Sequence, residues 1–161
     1  MSLSPAQKTT LKAAILADGS LSAFVAIADW PAIAINLNTL TSAPAWIVWK
    51  SNVTITETGK AFNGTEWAGM TSANHTRLQT VAQFSDAGYD PSKADIRNMF
   101  NDIWSGAGGT LTRAALLALW KRTALKIEKI LSTGTGSDAS PATLGYEGTI
   151  EAEDVRLTMT T

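Results

Sequence analysis

Between Asp90 and Leu131 the apolar side chains keep the period of an α-helix, and this feature restricts the fold more than any other. Ile96, Met99, Phe100, Ile103 and Trp104 follow the i, i+3, i+4, i+7 pattern until Ser105-Gly106 interrupts it. Leu116, Trp120, Ala124, Ile127 and Leu131 then continue the spacing through "LTRAALLALWKRTALKIEKILSTG", with Thr110 placed to cap and Gly134 to stop. A chain built from such stretches must bury one helical stripe against another, so the fold class expected is mainly α. The same reasoning gives helices near 4–18, opened by Ser4-Pro5-Ala6-Gln7, and near 72–87, carried by Arg77, Leu78, Val81, Ala82 and Phe84. The expected set is therefore 4–18, 72–87, 91–105 and 110–132. Two shorter helices flank Trp30-Pro31, "APAWIVWKSNVTIT" reads as extended, and "ETGKAFNGTEWAGM" reads as a short helical turn and loop.

The period changes near the end of the chain. In "STGTGSDASPATLGYEGTIEAEDVRLTMTT" the apolar residues Leu144, Tyr146 and Ile150, and then Val155, Leu157 and Met159, recur at even spacing, as in a strand with one buried face. Gly134, Gly136, Ser137, Ser140 and Pro141 form a connector before them. The expectation is a compact helical bundle over 1–133 and an extended C-terminal interaction arm over 134–161 containing short β segments. An isolated hairpin is marginal in water, so such an arm needs a surface to join.

Charge follows the same division. The net charge of −1 splits into twelve Lys and Arg against nine acids over 1–133, and one against five over 134–161, giving +3 and −4. On a continuous 110–132 helix, Arg122, Lys126 and Lys129 fall opposite the apolar stripe and make a basic face, which is either solvated or a contact for an acidic partner. The arm would anchor through Leu144, Tyr146 and Ile150, while Glu147, Glu151, Glu153 and Asp154 select the partner by charge. Six tryptophans can fill a core, and Trp46 and Trp49, beside Pro44, are the candidates for interface anchors.

Catalytic and metal chemistry find little support. There is no cysteine and His75 is the one histidine, so thiolate and multi-histidine metal sites are excluded and no Gly-x-Ser-x-Gly elbow accompanies that histidine. "GTGSDAS" follows a helix and lacks the Gly-Lys-Ser/Thr of a phosphate-binding loop. Asp86, Asp90, Asp95 and Asp102 could supply a carboxylate pair, but Asp90 reads as a cap and the others as exposed. Three Asn-x-Thr triplets, at Asn52, Asn63 and Asn74, read as chance. The expectation is no enzyme, no cofactor and no metal. The N-terminal stretch lacks a signal-peptide pattern and no segment approaches a membrane span, so a soluble chain made in the cytoplasm is expected.

"MSLSPAQKTTLKAAILAD", "SAPAWIVWKSNV", "IRNMFNDIWSG" and "TRAALLALWKRTALKIEKILSTGTGSDASPATLGYEGTI" together resemble a group of small virion-associated proteins of tailed bacteriophages and prophages. The resemblance runs over nearly the whole chain. In size and helical content these are similar to head-to-tail connector proteins of the adaptor type, small helical subunits that form a ring beneath the portal. The resemblance implies a structural virion protein made in the bacterial host cytoplasm and forming a homo-oligomeric ring. Portal and tail components would be its neighbours, with non-specific contact to packaged DNA and none to membrane. It carries no catalytic residues. The alternatives are a head decoration or tail accessory protein, a small DNA-binding regulator using the basic helix face, and a hydrolase of unknown type.

Overall fold

The computed structural model describes residues 3–83 and 87–160. In chain order the elements are α1 (Pro5–Ala17), α2 (Ser22–Ala26), α3 (Trp30–Leu37), β1 (Ile47–Trp49), α4 (Ile55–Lys60), α5 (Gly64–Ala68), α6 (Ser72–Gln83), α7 (Ala94–Ile103), α8 (Thr110–Leu119), β2 (Lys121–Thr123), α9 (Lys126–Ile130), β3 (Ser132–Thr133), β4 (Thr143–Leu144) and α10 (Ala152–Thr160). The fold is mainly α, and among the described residues β structure is limited to two- and three-residue strands and isolated bridges. Phe84 and Asp86 of the sequence expectations lie outside the described residues. Among those residues no helix is long and apolar enough to cross a membrane.

The chain forms two units, one from 3–48 with 123–160 and one from 49–122. The path leaves the first unit within β1 and returns to it within β2.

In the first unit, α1 begins with a complete capping box: Gln7 N donates to Ser4 Oγ at 3.3 Å and Ser4 N donates to Gln7 Oε1 at 2.9 Å. α3 begins with the Asp29 carboxylate accepting from Ala32 N at 3.0 Å, with Pro31 in its first turn. The core joins Leu11 and Ile15 of α1, Ile33 and Leu37 of α3, Ile127 of α9, Leu131, Tyr146, Ile150 and Val155 of α10. Beside it, Val48, Ala124 and Ala142 pack together under Trp46 and Leu144. β3 and β4 pair antiparallel, Ser132 opposite Leu144 and Thr133 opposite Thr143.

The second unit is aromatic. Phe100, fully buried, meets Tyr89 edge-on at 5.0 Å and Trp120 at 5.4 Å, while Trp49, Leu78, Ile103, Trp104 and Leu116 close around them. Its short helices are capped by side chains. Thr54 and Glu57 form a capping box on α4, Asn63 Oδ1 accepts from Thr65 N and Glu66 N at the start of α5, and Glu66 in turn accepts from Leu111 N at 2.8 Å and Thr112 N at 2.7 Å at the start of α8. Burial opposes ionisation of Glu66, but the bonds from Thr112 and Leu111 outweigh it and hold the carboxyl below its ordinary value.

Two expectations are corrected. The single helix over 110–132 is broken into α8, β2 and α9. In a continuous helix Ala124 N would donate to the Trp120 carbonyl. Instead Lys50 N donates to that carbonyl at 2.8 Å, and Ala124 N donates to Trp46 O at 2.8 Å. Likewise Lys126 N donates to Thr39 O at 2.9 Å. Trp120, Ala124 and Ile127, the residues that carry the apolar spacing, are all buried in the broken geometry.

The C-terminal segment is not an arm apart from a 1–133 body. Tyr146, Ile150 and Val155 are buried in the core of the first unit, and side chains of that unit hold the segment's backbone. Gln7 Nε2 donates to Gly145 O at 2.7 Å, Gly148 N donates to Glu128 Oε1 at 2.9 Å, and Asn38 both donates to Ile150 O and accepts from Ile150 N at 2.9 Å. Backbone groups that a sheet would have paired are satisfied by these side chains. The stretch with Val155, Leu157 and Met159, whose even spacing reads as a strand, forms α10, in which Val155, Thr158 and Met159 face inward at helical spacing and Leu157 is exposed. The acids Glu153 and Asp154 occupy its first turn, where negative charge favours the helix dipole.

Candidate interaction surface

The expected interface residues are distributed by these corrections. Three of them, Trp46, Lys126 and Lys129, come together in the first unit. Lys126 and Lys129 lie three residues apart on α9 and line an opening of about 350 Å³ with Ala14, Asp18, Thr41, Pro44 and Ile130. Lys126 Nζ donates to Asn36 Oδ1 at 3.0 Å, which fixes its direction from α3. Lys129 is exposed and its ammonium stands 5.1 Å from the Trp46 ring centroid.

Trp46 is itself fixed from several sides. Its indole Nε1 donates to Ser132 Oγ at 3.0 Å, and its backbone N donates to Thr41 Oγ1 at 2.8 Å, a hydroxyl that donates to Ala124 O at 3.1 Å. Gly136, at φ +63°, lies directly against the ring, and any Cβ there would overlap it. The one carboxylate lining the opening, Asp18, is occupied: the Ser20 hydroxyl and backbone N–H hold its pKa below the ordinary value, with a smaller contribution from Lys126.

Arg122 does not join this group. It lies in β2 and in the second unit, so the three cations do not share a helix face. Trp49 also belongs to the second unit, where it is buried and the Arg97 guanidinium stacks 4.2 Å above its ring. It is a core residue, not an exposed anchor.

The acidic residues of the C-terminal segment remain at the surface although its apolar residues do not. Glu147, Glu151 and Glu153 are exposed and Asp154 is half-buried. Glu153 pairs with Arg156 at 2.6 Å, and the Asp154 carboxylate accepts from Glu151 N at 3.4 Å. Burial, followed by the negative charges of Asp154, Glu128 and Glu151, raises the pKa of the Tyr146 phenol. Leu144 is half-buried against the small Val48 cluster, and Tyr146 and Ile150 are core.

The residues considered for chemistry are dispersed within the second unit. His75 packs edge-on to Trp67 at 4.7 Å. Asp90 makes a turn by accepting from Ser92 N and Oγ and is not the cap of α7, whose N-terminal flank is Lys93. Asp95 and Asp102 line a groove between α6 and α7 with Arg77. No group of three metal-ligating side chains occurs among the described residues.

Sequence reasoning gave Gln7 only its place in the α1 cap and missed three other polar side chains that hold the first unit together, Asn38, Thr41 and Glu128. Glu128 alone carried a signal. A carboxylate three residues after Leu125, between Ile127 and Ile130, has the spacing of a helix-start contact, and its Oε2 accepts from Leu125 N at 2.8 Å. The chain matches no protein-family model, no curated protein and no solved structure.

Proposed function

We propose that this chain is a structural protein of a tailed-phage particle, a head–tail connector ring subunit that sits between portal and tail components. What supports the reading in the molecule is the surface of the first unit, where Leu16, Ile27, Ile35 and Leu40 are all more than half exposed. Single exposed aliphatics are ordinary, but four large ones on one small unit suit a protein whose surface is covered in an assembly. The sequence resemblance to small virion-associated proteins supplies the kind of assembly. The regulator alternative depended on a basic helix face formed by Arg122, Lys126 and Lys129, and that face is not formed.

The test is location. Imaging of purified particles from a host carrying the gene should place the chain in a ring between head and tail. Finding it over the capsid surface would favour the decoration alternative. Its absence from particles would remove the assembly reading altogether.

A further inference from the structure

We propose that one copy of the chain presents Glu151 and Asp154, at the start of α10, to the Lys126–Lys129 opening of a second copy, so that successive copies meet head to tail. This deepens the assembly reading and rests on it.

The argument is charge complementarity between two built surfaces of the same unit. Around the opening, two ammonium groups face one carboxylate, Asp18, which is already bonded to Ser20. The excess is positive. Around the start of α10, Arg156 is taken by Glu153, and Glu151 and Asp154 add negative charge at the surface. Aliphatic area lies beside the cations. Leu40, 61 % exposed, bridges to Leu125 immediately before α9, and Pro44 and Ile130 line the opening. Apolar contact then supplies affinity, while the charges set register and partner.

Neither surface has to be ordered on binding. Asn36 directs Lys126, Trp46 supports Lys129, and the burial of Ile150 and Val155 fixes the start of α10, so the entropy loss of a free arm is avoided. Two different patches joined in this way make a heterologous contact, which gives a ring where the rotation between copies closes and an open filament where it does not.

The test uses the full chain and two exposed positions, Lys129→Glu and Glu151→Lys, with circular dichroism confirming that both variants fold. Sedimentation at low ionic strength should show wild-type self-association weakened at least about tenfold in either variant alone, because each sets like charges against each other. A 1:1 mixture should recover association, since the reversed opening of one then meets the reversed helix of the other. Added salt should weaken the wild type. Association unchanged in both single variants, or no recovery in the mixture, overturns the contact and leaves the assembly reading standing. A wild-type chain that stays monomeric at every concentration and salt also overturns the contact. Absence from particles is the separate result that overturns the assembly reading.

Discussion

The two units reach a buried core by different routes. The second unit is one continuous segment, 49–122, whose centre is a cluster of large rings, Trp49, Tyr89, Phe100, Trp104 and Trp120. Its short helices start with side-chain caps that lie close in sequence, as at Thr54–Glu57 and Asn63. The first unit is assembled from both ends of the chain around mostly aliphatic side chains, and is held by bonds between residues far apart, Gln7 to Gly145 and Asn38 to Ile150. A continuous unit depends on the quality of its local signals. A discontinuous one depends on its last segment being present, because that segment supplies part of the core.

Truncation is the most severe way to break the comparison. Deleting 135–161 removes Tyr146, Ile150 and Val155 from the first core and should abolish its cooperative folding, seen as a loss of helix by far-ultraviolet circular dichroism well beyond that of α10. A truncated chain with the helix content of 1–134 intact would show that the segment only decorates a finished core.

Single core truncations sharpen the contrast. Phe100→Ala in the second unit should cost about 3–5 kcal/mol and Ile150→Ala in the first about 2–5 kcal/mol, measured by urea unfolding. Both side chains are essentially unexposed. An Ile150→Ala cost near zero would mean that the last segment is not part of the core in solution.

A smaller effect is expected from the long-range polar contacts. Asn38→Ala leaves Ile150 N–H and C=O without their partner and should cost about 1–3 kcal/mol. Asn38→Asp keeps the acceptor for Ile150 N but loses the donor to its carbonyl, so it should fall between wild type and Asn38→Ala. Equal stability of the alanine variant and wild type would place the hold on this segment elsewhere.

The smallest effect concerns acid. Glu57 and Glu66, both in the second unit, have lowered pKa values, Glu57 chiefly through the Thr54 hydroxyl. A carboxyl with a lowered folded pKa contributes stability above its unfolded pKa and loses it as pH falls through the folded one. The second unit should therefore weaken gradually on acidification through and below the carboxylate range. Glu66→Gln should flatten part of that decline in urea midpoints followed against pH, and an unchanged profile would remove Glu66 as a contributor.

Much of the helical layout could be read from residues that act locally. Ser4-Pro5-Ala6-Gln7 dictates the start of α1 because cap and partner lie three residues apart, and Asp29 with Pro31 does the same for α3. The spacing of Ile96, Met99, Phe100 and Ile103 gives α7 for the same reason. At the surface site the residue types were legible, since Lys126, Lys129 and Trp46 could be singled out, but the meeting of the two lysines at one opening, with the Trp46 ring beside Lys129, depends on Asn36, Thr41 and Gly136, which carry no distinguishing pattern.

What only the tertiary structure decided is where local preference was outweighed by a distant partner. The sequence from Thr110 to Leu131 is helical by period, yet Lys50 N and Trp46 O engage the backbone groups that would have continued the turn at Trp120 and Ala124. The alternation after Pro141 is that of a strand, yet the backbone around Ile150 is held by an asparagine 112 residues away, and the residues from Ala152 form a helix because helical spacing buries Val155 and Thr158 together. Period and caps act within one turn and are written in the sequence. The choice among competing backbone partners belongs to the assembled core, because burial leaves each N–H and C=O only the partners that the packing brings within reach.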